Sequence, residues 1–313
     1  MNPPVETLTD NAAWAGTKPI LSVLTPFFRD DPAPLLALLE REAAALGGRV
    51  EVVTLDDGGG DAALTARIAA RVQDFALPAR LVALSGNQGR ARGRNRLASH
   101  ARADHFLFLD SDMAPDAPDF LARYLAMVEQ DQPPVVFGGF SLKQVKTARK
   151  FALHIAFAMR GECAPAALRA LHPEKYVFTS NLLVRRDVFE AEAFDEGFTG
   201  WGWEDVEWGM RVARRFGVAH VDNAATHLGL DTAAVLAGKY EQSAQNFARV
   251  VARHPEIVST YPSYKLARVL KRIPAIKRLR GLLKWTAIHP VAPLTTRVLA
   301  LKAYRAALYA EVL

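Results

Sequence analysis

Apolar runs of strand length alternate with helical periods over the first 110 residues, and this alternation restricts the fold more than any other property of the chain. Residues 20–24 are an apolar run, 35–46 follow a helical period, 49–55 read as a strand, 62–75 as a helix, 80–84 as a strand and 90–103 as a helix. A further strand then leads into Asp110. Strand–helix alternation of this length predicts an α/β fold with a doubly wound, mostly parallel sheet and helices on both faces. Each strand exit is polar or glycine-rich: Thr25-Pro26, then Asp56-Asp57-Gly58-Gly59-Gly60, then Ser85-Gly86-Asn87-Gln88-Gly89. In such sheets the exits meet along one edge, where ligands sit. A nucleotide site is therefore expected there.

The strand His105-Phe106-Leu107-Phe108-Leu109 runs into Asp110-Ser111-Asp112. Charge at the end of a buried strand is costly unless something neutralises it. Side chains two apart in an extended segment point the same way, so the two carboxylates can face one partner. A hard divalent cation carrying substrate phosphates meets that description. The competing reading is a solvated Asp-rich turn that caps a helix starting at Asp116.

Taken in order, these segments resemble a family. Residues 19–26, Leu55-Asp56-Asp57-Gly58, Asn87-Gln88-Gly89 followed by Ala91, Arg94 and Asn95, and Asp110-Ser111-Asp112 match the pattern of family 2-type inverting glycosyltransferases of the GT-A fold. Residues 179–186 and Phe194-Asp195-Glu196-Gly197-Phe198 continue it into Gly200-Trp201-Gly202-Trp203-Glu204-Asp205, a block similar to that of galactosyl-, N-acetylgalactosaminyl- and chondroitin-type transferases. The resemblance covers roughly residues 18–230. It implies an N-terminal extension at 1–17, a catalytic domain at 18–230 and a basic helical extension at 231–313.

The resemblance also implies roles. Thr25, Pro26, Asp56, Asp57, Asn87, Arg94, Asp110 and Ser111 would contact a nucleotide-diphosphate sugar, expected to be UDP-linked, with Asp57 at the base or ribose and Arg94 at a phosphate. Asp112 would be the main metal ligand, Asp110 would touch the ribose or the metal's waters, and His227 would complete the coordination. Imidazole in that set favours Mn2+ over Mg2+. His220 is the competing histidine. Asp205 would be the general base that an inverting transfer requires, and Glu204 would orient the acceptor. Trp201 or Trp203 would floor the acceptor sugar. Two acids at the start of the helix expected over 206–216 are also what the helix dipole favours without any catalytic role. The reaction implied is hexosyl transfer, in polysaccharide synthesis, to a glycan or lipid-linked acceptor.

Composition is compatible with this. Half of the 313 residues are hydrophobic, enough for one large core or a core plus an appendage. The single cysteine, Cys163, excludes an internal disulfide and suits a reducing, cytoplasmic setting. Residues 1–6 lack the basic and apolar regions of a signal peptide, and no apolar run reaches membrane-spanning length. Charge is uneven. Eleven Lys and Arg and no acid lie between Ile257 and Ala310; with Glu311, residues 257–313 carry +10, against +6 for the whole chain and so −4 for residues 1–256. These cations interleave with Leu, Ile, Val and Trp285, and Pro274 divides the segment into two short helices. Residues 263–313 read either as a peripheral anchor on an anionic membrane surface or as a packed helical appendage with a solvated basic face. Nucleic acid is disfavoured because no binding motif accompanies the charge. No G-x-G-x-x-G follows a strand, which argues against a dinucleotide dehydrogenase. A sugar nucleotidyltransferase would carry a basic glycine-rich loop where Thr25-Pro26-Phe27-Phe28 stands. A non-catalytic sugar-binding module would keep the fold but have no need of the carboxylates.

Overall fold

A computed structural model describes residues 4–313. The described residues divide into two compact units: 4–145, 164–196 and 208–229 form the first, and 146–163, 197–207 and 230–313 the second. Residues 1–3, the start of the expected N-terminal extension, lie outside the described part.

Eleven strands belong to the first unit: β1 (Glu6–Asp10), β2 (Leu21–Phe27), β3 (Val50–Asp56), β4 (Ala79–Leu84), β5 (His105–Leu109), β6 (Met113–Pro115), β7 (Val135–Phe137), β8 (Phe140–Ser141), β9 (Asn181–Arg185), β10 (Ala219–His220) and β11 (Ala225–His227). Eight form one sheet in the order β1-β4-β3-β2-β5-β9-β7-β10, and a second sheet runs β6-β11-β8. The β4-β3-β2-β5 half is parallel throughout, as the strand–helix alternation requires. β9 runs antiparallel to both of its neighbours. The fold is thus mixed α/β around a large central sheet, with helices at the C-terminal end of the chain.

Alternation along each central strand sends side chains to two separate cores. Val23, Val52, Leu107 and Leu109 join the helices Ala33–Glu40, Ala62–Gln73 and Phe120–Gln130 on one face. Leu24, Val53, Leu55, Phe106 and Phe108 join Ala91, Leu97, Val188, Phe189 and Trp208 on the other. Trp208 is thereby a core residue, as its place along the helix suggests.

Residues 6–17, expected as an extension ahead of the domain, are built into the first unit. β1 pairs antiparallel with β4, and Asn11 donates to the carbonyls of Phe75 and Leu77 at 2.9 and 2.7 Å. The segment Glu-Thr-Leu-Thr-Asp carries no apolar run because an edge strand buries little, so its pattern gave no strand signal. The second unit contains the helical C-terminal part from 230 onward, together with two earlier stretches. Its helices are Ala152–Met159, Ala233–Arg253, Pro255–Val258, Pro262–Leu270, Ile276–Ile288 and Leu294–Ala310. No described helix is long and apolar enough to cross a membrane.

Candidate active site

In the first unit the exits of β2, β3, β4 and β5 lie along one edge of the sheet. At the end of β3, Asp57 is nearly buried and its carboxylate accepts from the Asn87 side chain (3.0 Å) and from the backbone N–H of Gln88 (2.9 Å) and Gly89 (3.0 Å). Burial pushes this carboxyl up to about 6, against the opposing pull of the Gln88 and Gly89 hydrogen bonds. Asp57 therefore clamps the β3 exit to the β4 exit. Gly58 permits the approach: its φ is +66°, and a Cβ there would lie 2.3 Å from the Gly86 carbonyl carbon. Asp56 instead organises its own turn, accepting from the Gly59 N–H (3.0 Å) and the Thr65 hydroxyl. Thr25 is fully buried in β2 opposite Thr54, with Pro26 next to it opposite Leu55.

At the end of β5 the three residues of the D-x-D diverge. Asp110 receives the nearly buried Arg94 guanidinium at 2.8 Å, and Arg90 stands 3.9 Å from its other oxygen. Arg94, expected at a phosphate, thus neutralises the strand end itself. Ser111 donates its hydroxyl to Asp30, a residue of the β2 exit that sequence reasoning did not single out. Asp112 turns to His227, whose Nε2 lies 3.3 Å from its Oδ2.

That last pairing comes from the small sheet. β11 runs antiparallel to β6 with His227 opposite Met113, which brings the imidazole beside the residue preceding Met113. The Leu228 N–H donates to the Asp112 carbonyl at 2.9 Å, and a Cβ on Gly229 would fall 1.8 Å from Asp112 Oδ2. The segment His227-Leu228-Gly229 therefore wraps the Asp112 carboxylate closely, and a side chain at 229 would push that carboxylate out of its place. Burial alone would raise the Asp112 carboxyl, but the hydrogen bond and charge of His227, with Arg90 beyond, hold it below the usual carboxylate range. His220 is occupied elsewhere: Arg169 Nε donates to its Nδ1 at 3.3 Å and its Nε2 faces the Pro173 carbonyl at 3.2 Å.

In the second unit, helix Ala233–Arg253 holds the loop that carries Trp201 and Trp203. Asn246 donates to the carbonyls of Thr199 (2.9 Å) and Gly202 (2.8 Å). Trp203 adopts φ +77°, donates its indole N–H to the Tyr309 hydroxyl at 3.0 Å and packs on Phe247 at 5.1 Å. The Phe247 and Tyr309 rings stack at 4.0 Å beneath it. Trp203 is thus a packing residue of this unit. Its replacement by alanine is expected to cost about 3 kcal/mol, the usual scale for emptying a tryptophan-sized space, read as a lower denaturant midpoint at unchanged slope. Trp201 has lighter contacts, an edge-on ring of Tyr240 at 5.8 Å and the Lys239 ammonium at 5.8 Å.

Helix Glu204–Arg215 opens with three acids, Glu204, Asp205 and Glu207. Glu207, missed by motif reasoning, is fully buried and meets His254 at 3.1 Å and Arg253 at 3.4 Å. Glu204 is buried as well, while Asp205 is half-buried and accepts from the Val206 N–H at 2.8 Å.

Among the described residues no group of three or more His, Cys, Asp or Glu side chains gathers closely enough to hold a metal alone. Asp112 and His227 nevertheless suit two adjacent positions on one ion. Ligand atoms about 2.1 Å from an octahedral cation sit about 3 Å apart when adjacent, close to the 3.3 Å between Oδ2 and Nε2.

Residues 22–192 match the sequence profile of the family described as Glycosyl transferase family 2. The fold is similar to a mannosyltransferase from Pyrobaculum calidifontis, solved in complex with GDP-Man and Mn2+, with TM-score 0.57 and 17% identity over 96% of this chain and 88% of that one. It is also similar to residues 1–349 of S. aureus TarS, with TM-score 0.50 and 17% identity over 91% and 89% of the two chains. The same TarS segment in complex with UDP gives TM-score 0.50 and 14% identity over 93% and 89%. No curated protein matches the chain.

Proposed function

The chain belongs to glycosyl transferase family 2, and from that premise we propose that it moves a hexosyl group, with inversion, from a UDP-linked sugar to a hydroxyl of a glycan or lipid-linked acceptor at the cytoplasmic face of a membrane. The observation that carries this reading is the split of the D-x-D. Asp110 is neutralised by Arg94, whereas Asp112 is kept ionised and faces His227 at a strand exit of the sheet. One carboxylate is tied up by the fold and the other is ready for a cation.

Asp112 and His227 would hold that cation, Mn2+ by the imidazole in the set. When bound, it would supply positive charge to the departing diphosphate. Asp57, with Asn87, fixes the loop that would meet the nucleotide, and Ser111 with Asp30 braces the turn between the two carboxylates. In the transfer, the acceptor oxygen bonds to the anomeric carbon as the bond from that carbon to the diphosphate oxygen breaks. The acceptor's proton passes to Asp205, and the bonding pair leaves with the nucleotide. The Gly-Trp-Gly-x-Glu-Asp block, as in the galactosyl- and chondroitin-type enzymes it resembles, would present Glu204 and Trp201 to the acceptor sugar.

A donor screen tests the reading. The purified chain, given Mn2+ and a panel of UDP- and GDP-sugars with glycan acceptors, should release nucleotide from a UDP-sugar. Release from none of them would remove the proposal, and pyrophosphate release from a nucleoside triphosphate with a sugar phosphate would make the chain a nucleotidyltransferase. Trp201→Ala should raise the acceptor KM and leave UDP affinity as it was; an unchanged acceptor KM would make Trp201 a packing residue like Trp203.

A further inference from the structure

Five of the eleven tail cations are committed within the second unit, Lys302 among them with its ammonium 5.8 Å from the Phe157 ring. Arg280 pairs with Glu311 and Lys284 with Glu241, each at 2.6 Å. Arg297 donates to the carbonyls of Ala287 and Ile288 at 3.0 and 3.3 Å, closing the end of the preceding helix. Arg305 lies over the rings of Phe157 and Tyr240 at 5.5 and 5.3 Å. These contacts pack the tail helices into the unit, so the helical-appendage reading holds for one side of them.

The other side is different. On helix Pro262–Leu270 the buried residues are Ala267 and Leu270, and the opposite side carries exposed Lys265 and Arg268, continued by Arg272 at the next turn. Val269 and Leu266 lie beside these cations and are exposed too. On helix Ile276–Ile288, Ala287 is buried, while Arg278, Leu282 and Trp285 recur at steps of four and three along one exposed stripe. Leu282 is 60% exposed and Trp285 53%, and the His289 ring stacks on Trp285 at 4.6 Å. Large apolar side chains held in water beside uncompensated cations mark a surface made for contact.

We propose that this side of helices Pro262–Leu270 and Ile276–Ile288 docks on an anionic lipid bilayer. Cations without an acid anywhere between Ile257 and Ala310 complement lipid phosphates and carboxylates. Leu282 and Trp285 supply what charge alone does not, since tryptophan settles at the boundary between headgroups and acyl chains. A soluble polyanion would satisfy the cations but leave Leu282 and Val269 in water. With no described helix able to span, the attachment is peripheral. The inference stands apart from the transferase reading, because lipid binding is measured without turnover.

Flotation of the full chain with vesicles decides it. Binding is expected to vesicles of phosphatidylcholine with added phosphatidylglycerol, to fall with salt, and to be absent on phosphatidylcholine alone. The double substitution Arg268→Glu, Arg272→Glu should weaken binding roughly tenfold or more, and Trp285→Ser should weaken it at unchanged salt dependence. Both sets of positions are exposed, so melting temperatures near wild type are expected and serve as the folding control. Trp285 emission should shift to the blue on anionic vesicles, a shift lost in Trp285→Phe. Equal retention on both vesicle types, retention on neither, or undiminished binding of the charge-reversed chain would overturn the proposal. So would capture by RNA or duplex DNA with vesicles ignored, which would make nucleic acid the partner.

Discussion

Asp112→Ala is expected to lower sugar transfer by about a thousandfold or more, a loss on the order of the several kcal/mol that a metal ion contributes to a departing phosphate. The reason is specific to the geometry. Asp110 is already paired with Arg94 at 2.8 Å, so it is not free to substitute. His227 alone would offer one nitrogen to an ion that prefers oxygen. UDP binding should weaken in the variant only when Mn2+ is present, and titration calorimetry with and without metal separates that from a general loss of the site. Transfer at the wild-type rate in excess chelator would sink the assignment.

Asp205→Asn comes next in expected size. Of the three acids that open helix Glu204–Arg215, Glu207 is fully buried against His254 and Arg253, which leaves Glu204 and Asp205 as the candidates for proton transfer. Glu204 is buried and Asp205 only half-buried, so Asp205 is the better placed to meet an incoming hydroxyl. The asparagine keeps the shape, and its side-chain oxygen can still accept from the Val206 N–H. Removal of the base should lower kcat by at least about a hundredfold, with donor affinity near wild type. Survival of turnover in Asp205→Asn together with its loss in Glu204→Gln would exchange the two roles.

The central strands were legible because burial on both faces of a parallel sheet demands largely apolar runs: residues 106–109 are unbroken, and 50–55 is interrupted only by Glu51 and Thr54 among Val and Leu. β1 was not legible, since an edge strand needs no such run. The small sheet escaped for another reason. β6, β8 and β11 are two or three residues each, too short for any period to show, and their pairing joins residues 113–115 to 225–227 across more than a hundred positions. That non-local pairing is what sets His227 against Asp112. Motif spacing named those two residues but could not see that Gly229 must lack a side chain for them to meet. Likewise the Arg94–Asp110 and Ser111–Asp30 contacts are choices among several nearby charges and hydroxyls, which only three-dimensional placement decides. Trp203 shows the limit most clearly: a tryptophan between glycine and acid suggests a sugar platform, yet its partners Phe247 and Tyr309 lie far along the chain.

The bond from the Trp203 indole to Tyr309 has a practical consequence for anyone shortening this protein. Tyr309 lies in the final turns of helix Leu294–Ala310, while Trp203 directly precedes Glu204 and Asp205. A chain ended before residue 263 would lose the hydroxyl and the ring that support the loop, so inactivity of such a fragment would be no measure of membrane attachment. Tags and fusions face the same restriction: an appendage that disturbs the last turn of helix Leu294–Ala310 reaches the acidic pair through one aromatic stack.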